Sequence, residues 1–469
     1  MIFTELRFLF FFLAVLAVYW NLRSNDHRKI WLLLCSFAFY SAWNWRFLLL
    51  ILGTTHVDYF VGMLLARTES VKRRKILLVL SLAANLGVLA AFKYFNFFAS
   101  SAEQLSNLLG FPLHARTLNV ILPVGLSFHT FQGMSYTIDI YRRKLKPTSS
   151  LLDFALYIVF FPQIVAGPIV RAADFIPELA RNKTLESVEM RRCMVMFLIG
   201  FFKKACISDN IAPFIDTYFL HPERFSVGSS WLAALLYSVQ IYCDFSGYTD
   251  IAIASAGMLG YPMVKNFDFP YFSQNIMVFW HRWHISLSTW FRDYLYIPLG
   301  GSRCSEWMIA RNLMITMALA GLWHGAAWNF ILWGLVEGLA LVVYRAVFVP
   351  LNTLRPLRDL PPAFGILATF LYSVCISTVF FRSTGMGNIL ITLRALVFFQ
   401  SPGTGTIPHQ FAYVLVLLIA IHFISYRGYL RGWYDRLPSG LFHLIYGFAF
   451  AWALALARTD YAPFVYFQF

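Results

Sequence analysis

The sequence predicts an all-α, polytopic integral membrane protein. Of its 469 residues, 59% are hydrophobic and 13% are charged, whereas soluble domains carry about a quarter charged residues. Its apolar runs are long and continuous, unlike the ~10-residue alternating segments of a β-barrel. Because a spanning helix needs about 20 apolar residues, we expect roughly ten to twelve spans, together with shorter re-entrant or interfacial helices.

The positive charge of the chain lies between its apolar runs. The formal net charge is +15, and basic clusters occur at residues 23–29, 72–75, 142–146, 191–192 and 427–436. This is the positive-inside pattern of cytoplasmic loops. Nucleic-acid binding would instead require one contiguous basic face. We therefore expect the lipid bilayer, and no nucleic acid, as a partner.

The N-terminal third predicts a retained first span over residues 8–20, followed by two helical hairpins. The hairpins are placed at residues 30–66 and 76–98, with the basic loop 67–75 between them. Residues 151–170 break this alternation, since basic residues flank them on both sides and Pro162, Gly167 and Pro168 interrupt helices. A re-entrant or broken helix explains these features, and a kinked span is the alternative.

The strongest candidate for chemistry is His324, which stands almost alone in an apolar run. Ionisable residues at bilayer depth are costly and are functional candidates by default. An imidazole can accept a proton from a hydroxyl or thiol and so create a nucleophile. The alternative is helix packing, because Gly321 and Gly325 form a GxxxG pattern in which His324 would hydrogen-bond between helices.

A second unusual segment, residues 277–299, is amphipathic and rich in aromatic residues. It contains His281 and His284, which are three residues apart and share one helical face. A metal site would need three or four ligands, and no further ligands are evident nearby. We therefore expect no metal and a hydrogen-bonding or substrate-lining role for His284. None of the six cysteines forms a CxxC pair, so a zinc-thiolate site is not supported.

A polar insertion at residues 240–250 carries Asp244 and Asp250 into an apolar segment. These carboxylates could orient a histidine or line a polar tunnel, or they could be paired with arginine or capped by backbone groups. The chain has no G-x-S-x-G elbow, phosphate loop, dinucleotide fingerprint or HExxH motif. Covalent serine catalysis, ATP hydrolysis and dehydrogenation therefore lack support.

These segments together resemble the membrane-bound O-acyltransferase family, in particular its bacterial branch for O-acetylation of alginate or cellulose. The resemblance rests on the motifs at residues 122–142, 160–168, 242–250, 279–303 and 321–326, and on the closing residues 463–469. It covers essentially the whole chain. It implies one transmembrane domain over residues 1–469, a catalytic core at 122–346 that bears the motifs, and a helical bundle around a central tunnel.

The resemblance also implies an activity and roles for particular residues. His324, in Trp-His-Gly, matches the family's proposed catalytic histidine, and His284 matches its second motif histidine. We expect His324 to act as general base and His284 to position the donor or stabilise charge. Tyr242, Asp244, Ser288 and Trp323 are expected to line the substrate path. No role is carried over to His281 or His129.

The implied reaction is O-acetylation of an exported polysaccharide at the bacterial inner membrane. A cytoplasmic acyl thioester, acetyl-CoA, would be the donor substrate, and no resident cofactor is expected. The implied partners are a periplasmic SGNH-like acetyltransferase or esterase-like protein and a polysaccharide synthase and export complex. One alternative is D-alanyl transfer to teichoic acid from a carrier protein. Another is a transporter whose permeation path contains His324, Asp244 and Asp250.

Overall fold

The computed structural model describes residues 1–165, 167–351 and 361–458. Within these ranges the chain is helical and contains no strand, only an isolated bridge between Phe225 and Gly405. The prediction of an all-α protein is therefore confirmed. The closing motif at residues 463–469 lies outside the described residues.

The helices of the first half are labelled in chain order. They are α1 (Leu6–Asn21), α2 (Asn25–Arg67), α3 (Val71–Leu89), α4 (Phe95–Leu108), α5 (Leu126–Tyr141), α6 (Leu151–Val159), α7 (Phe161–Ile164), α8 (Ala172–Ala180), α9 (Met190–Phe201), α10 (Asp209–Leu220) and α11 (Val227–Met258).

The second half continues with ten helices in the described ranges. They are α12 (Ile276–Arg282), α13 (Ile285–Phe291), α14 (Glu306–His324), α15 (Trp328–Val343), α16 (Val349–Leu351), α17 (Pro362–Tyr372), α18 (Thr378–Arg382), α19 (Met386–Val397), α20 (Gln410–Tyr426) and α21 (Ser439–Leu456). Short π-helical segments interrupt several of them, including Phe202–Ser208 before α10 and Ser373–Ser377 between α17 and α18.

The chain divides into two compact units. One comprises Met1–Phe197 and Ile251–Val264, and the other comprises Leu198–Asp250 and Lys265–Phe469. The prediction of a single domain over residues 1–469, with a core at 122–346, stays a prediction. All six residues proposed for the site from sequence belong to the second unit, as do α12 to α21.

Five helices in the described ranges are long and apolar enough to cross a membrane. They are Asn25–Arg67, Val71–Leu108, Trp328–Leu351, Pro362–Arg382 and Ser439–Leu456, and four shorter apolar helices accompany them. The chain therefore has the helices of a multi-pass membrane protein. The predicted ten to twelve spans are not confirmed.

The predicted hairpin at residues 76–98 is wrong. One continuous helix of 38 residues runs from Val71 to Leu108, with only a π-helical segment, Ala90–Tyr94, inside it. Residues 30–66 lie in two helical segments of α2 that meet at a kink at Asn44, where φ is −162° and ψ is 110°. The run at 76–98 contains no turn that reverses the chain, because one wide turn shifts the hydrogen-bond ladder without ending it.

Residues 151–170 do break as the sequence predicts. Helix α6 ends at Phe160, where ψ is 113°, and α7 lasts only four residues. Pro162 is accommodated at the start of α7, where its missing N–H costs nothing. The described residues of this stretch are almost completely buried, which agrees with irregular backbone enclosed by protein.

Helices α14 and α15 pack against each other through glycines, and this packing positions His324. A Cβ on Gly321 would overlap the carbonyl oxygen of Phe330, and a Cβ on Gly334 would overlap that of Met317. Such close backbone approach is possible only without side chains, as in the small-residue interfaces of membrane helices. Of the predicted GxxxG pair, Gly321 makes this contact, whereas Gly325 lies just beyond the end of α14, where an added Cβ would overlap the Phe330 ring. Since His324 also faces a cavity, close helix packing and a catalytic role are compatible in this segment.

Candidate active site

His324 is the last residue of α14 and is buried among aromatic rings. Its imidazole lies 5.1 Å from the ring of Trp323, 5.1 Å from Trp333 and 5.5 Å from Phe381, measured between ring centroids. All three contacts are edge-to-face, with interplanar angles of 76° to 85°. This geometry fixes the plane of the imidazole, as a general base requires.

A cavity of about 40 Å³ opens beside His324. A single water molecule needs less space than this, so the cavity can admit a small group. Its wall combines aromatic rings with four hydroxyl-bearing side chains, and the lining residues are Ile241, Tyr271, Phe279, Trp280, Trp283, His324, Trp333, Ser373, Ser377, Thr378 and Phe381. A mostly apolar pocket with a few converging polar groups is typical of a small-molecule site.

His284 lies at the turn between α12 and α13 in a strained conformation. Its φ is 44°, in the left-handed region that few residues other than glycine adopt. Asn266 supports this turn, because its Oδ1 accepts from the backbone N–H of Ser286 at 3.1 Å and from the Ser286 hydroxyl at 3.0 Å. Backbone strain of this kind is characteristic of functional sites.

The hydrogen bond to the Asn266 side-chain oxygen also indicates which tautomer His284 adopts. Because Oδ1 can only accept, the Nδ1–H of His284 donates to it at 3.3 Å. Burial lowers the pKa of His284 to about 3, so the ring is neutral at physiological pH. Of the two roles expected from sequence, this neutral tautomer fits positioning of a substrate better than stabilisation of charge.

The buried His284 makes the protein sensitive to acid in a predictable direction. The pKa of His284 rises from about 3 in the folded protein to about 6.5 on unfolding, so the unfolded chain binds more protons between these values. Lowering the pH from 7 to 5 should therefore cost about 2 kcal/mol of folding free energy through this residue. The measurement is the melting temperature at both pH values for wild type and His284→Gln. An equal loss in both proteins would contradict this assignment.

Trp323 connects the two histidines. Its ring is 6.2 Å from that of His284 and 5.1 Å from that of His324, and it is buried. The structure thus brings together three of the residues predicted for the site. Their catalytic and substrate-binding roles stay predictions.

Tyr242 lies near this cluster. Its ring is 5.8 Å from Tyr271 and 6.5 Å from Trp283, both of which line the cavity. Its ring also packs against that of His422, with 5.1 Å between centroids, and the Lys203 ammonium lies over it. This position is consistent with a role of Tyr242 in lining the substrate path, which stays a prediction.

Asp244 and Ser288 have contacts within the fold instead of in the cavity wall. Asp244 forms a buried ion pair with Lys204 at 2.6 Å, and Lys204 also pairs with Asp209 at 2.6 Å. The Ser288 hydroxyl donates to the carbonyl of Trp283 at 3.1 Å. Asp250 is paired with Lys203 at 2.7 Å. Pairing was one of the alternatives for the two aspartates, but lysines and not arginines supply the charge.

His281 and His129 lie in different surroundings. His281 is exposed, and its Nδ1–H donates to the carbonyl of Met277 at 2.6 Å. His129, in the first unit, is buried and hydrogen-bonds Thr54 at 2.6 Å. Among the residues that the structure describes, no three His, Cys, Asp or Glu side chains are grouped so that they could hold a metal ion.

Sequence reasoning missed several residues of the cavity. Trp333, Phe381 and Ser377 come from α15, α18 and the π-helical segment before α18, and only the packing of these elements brings them to His324. Glu337 in α15 was also missed. It is fully buried in an apolar span, so the argument that selected His324 would have selected it as well.

Comparison with known proteins gives consistent matches. The family model described as "MBOAT, membrane-bound O-acyltransferase family" matches residues 130–384, which include both histidines of the site. The chain is 40% identical over 365 residues to "Probable alginate O-acetylase AlgI" of Azotobacter vinelandii, covering 76% of this chain and 72% of that protein.

Two further relatives extend this similarity. "Probable alginate O-acetylase AlgI" of Pseudomonas putida is 34% identical over 503 aligned residues, covering 100% of both chains. "Peptidoglycan O-acetyltransferase" of Helicobacter pylori is 36% identical over 396 residues, covering 79% of this chain and 73% of that protein. The similarity therefore includes relatives named for two different glycans.

Proposed function

Because the chain belongs to the membrane-bound O-acyltransferase family and is therefore an O-acyltransferase, we propose that it moves an acetyl group from cytoplasmic acetyl-CoA across the inner membrane. The acetyl group serves O-acetylation of an exported polysaccharide, cellulose or an alginate-like polymer. The observation that carries this proposal is His324 on the wall of a cavity that can admit a small group.

His324 acts as the general base on the acceptor hydroxyl. As the imidazole takes the proton, the hydroxyl oxygen attacks the thioester carbonyl and forms the new C–O bond. The C–S bond then breaks, and the thiolate leaves with the proton that the imidazolium returns. The C-terminal end of α14 stabilises the transient positive charge on His324 by about 1 kcal/mol or less.

His284 and Trp323 position the donor beside this base. A neutral His284 with Nδ1–H bound to Asn266 has its other nitrogen as an acceptor, suited to a substrate N–H or O–H. Trp323 separates the two imidazoles and supplies an apolar wall. The immediate acceptor is a periplasmic SGNH-like or esterase-like partner of a polysaccharide export system.

The donor is tested with two labelled thioesters in detergent solution. One is acetyl-CoA, the other is a carrier protein loaded with D-alanine, and the acceptors are a purified periplasmic SGNH-like partner, cellopentaose, a mannuronate oligomer and teichoic acid. Transfer from acetyl-CoA to the partner or to an oligosaccharide supports the proposal. Transfer from the carrier thioester alone would replace it by D-alanyl transfer.

The size of the cavity predicts selectivity for short acyl chains. Butyryl-CoA adds two methylenes that would press against the aromatic rings around His324, so its kcat/KM should be about 100-fold below that of acetyl-CoA. Phe381→Ala removes one wall of the cavity, so the difference in kcat/KM between acetyl-CoA and butyryl-CoA should fall to about tenfold or less. The measurement is the initial rate of CoA release with each donor. Equal use of both donors by wild type would show that the acyl group binds elsewhere.

A further inference from the structure

Glu337 is a buried carboxylate near the cavity that the mechanism above does not use. It lies in α15, inside a candidate membrane span, and is 0% exposed. Within the described part of the chain, no Lys, Arg or His acts on it as a charged partner, and neither carboxylate oxygen makes a well-aligned direct hydrogen bond. A carboxylate in this environment is costly for folding.

The groups around Glu337 are polar and belong to the wall of the cavity. Glu337 lies one helical turn after Trp333 on the same face of α15, and the side chains of Ser377, Tyr372 and Trp280 are its polar neighbours. Ser377 and Trp280 both line the cavity beside His324. Glu337 does not itself line the cavity, so its carboxylate lies next to the lining residues and not in the wall.

A short chain of contacts connects Glu337 with His324. The indole N–H of Trp333 donates to the Ser377 hydroxyl at 3.0 Å. The Trp333 ring in turn packs against the His324 imidazole, with 5.1 Å between centroids and an interplanar angle of 85°. Trp280 completes the wall by packing 5.9 Å from Trp333.

We propose that Glu337 is a positioning residue for His324: it orients Ser377 and Trp280, and through them Trp333, so that the imidazole faces the cavity in a productive orientation. This inference rests on the proposed function, because it presumes acyl transfer at His324. A displacement of about 1 Å at a reacting group can cost about 100-fold in rate. On this account the buried carboxylate lowers the stability of the fold and is needed for activity.

The test compares Glu337→Met, Glu337→Gln and a control, Leu339→Met. Methionine fills a similar volume without a polar group, and glutamine keeps a hydrogen-bonding amide. Leu339 lies on the exposed face of the same helix and is 55% exposed. Each protein is assayed for acetyl-CoA turnover with the periplasmic SGNH-like partner, cellopentaose and a mannuronate oligomer, giving kcat and KM, and its melting temperature is measured.

The expected result separates activity from stability. Glu337→Met should lower kcat about tenfold to 100-fold, change KM for acetyl-CoA less than about threefold, and melt at or above the wild-type temperature. Glu337→Gln should recover most of the lost kcat, and Leu339→Met should behave as wild type.

Three outcomes would overturn the inference. These are a wild-type kcat in Glu337→Met, a loss of kcat that follows a lower melting temperature, and a Glu337→Gln variant as slow as Glu337→Met. An inactive wild type would instead refute the proposed function, so the two failures are distinguishable.

Discussion

Replacing His324 should lower acetyl transfer about a thousandfold. A positioned general base typically contributes 10²–10⁴ to the rate, and the described cavity wall contains no second imidazole. We choose His324→Gln instead of His324→Ala, because glutamine keeps most of the side-chain volume between Trp323, Trp333 and Phe381. The measurement is kcat with labelled acetyl-CoA at saturating acceptor.

The control for this prediction is His281→Gln, which makes the same chemical change at an exposed histidine. It should keep at least half of the wild-type rate. Melting temperatures of both variants show whether the fold persists. A His324→Gln protein that is folded and retains more than about a tenth of the wild-type kcat would exclude His324 as the general base.

A larger residue at Gly321 should disrupt the fold of the second unit. The backbones of α14 and α15 approach so closely there that a Cβ on Gly321 would overlap the carbonyl oxygen of Phe330. Backbone cannot give way as a flexible side chain can, so Gly321→Val must force the helices apart. We expect a loss of about 3 kcal/mol or more and no measurable acetyl transfer.

The matched control is Gly447→Val in α21, where an added Cβ meets nothing within 4 Å. Both glycines are helical, so differences in helix propensity cancel to within a few tenths of a kcal/mol. The measurement is the melting temperature and yield of each variant in detergent. Equal melting temperatures would show that α14 and α15 do not depend on this close contact.

The parts of the site that sequence could predict are those marked by an isolated polar residue. His324 and His284 stand out because imidazoles are rare in apolar surroundings, and the structure places both beside Trp323. Glu337 carries the same signal but lies in none of the motifs that the family resemblance emphasised. The cavity could not be predicted, because its walls come from helices far apart in sequence.

In the fold, too, features that depend on local chemistry could be predicted and features that depend on packing could not. Hydrophobic composition and the prolines near residue 162 predicted helices and a broken segment, since both depend on local chemistry. The hairpin predicted at residues 76–98 failed because apolar length alone cannot distinguish two short helices from one long one. Likewise, the pairing of Asp244 with Lys204 depends on the contact of a π-helical segment with α11, which no local pattern specifies.

The most direct test of the account is the sidedness of transfer in liposomes that contain the purified protein in one orientation. Labelled acetyl-CoA is supplied only on the face of the basic cluster at residues 72–75, and the periplasmic SGNH-like partner and the oligosaccharides are enclosed on the opposite face. The account predicts labelled partner or oligosaccharide on the opposite face, with all CoA remaining on the donor face, for wild type and not for His324→Gln. Labelled product only when donor and acceptor share one face would contradict transfer across the membrane.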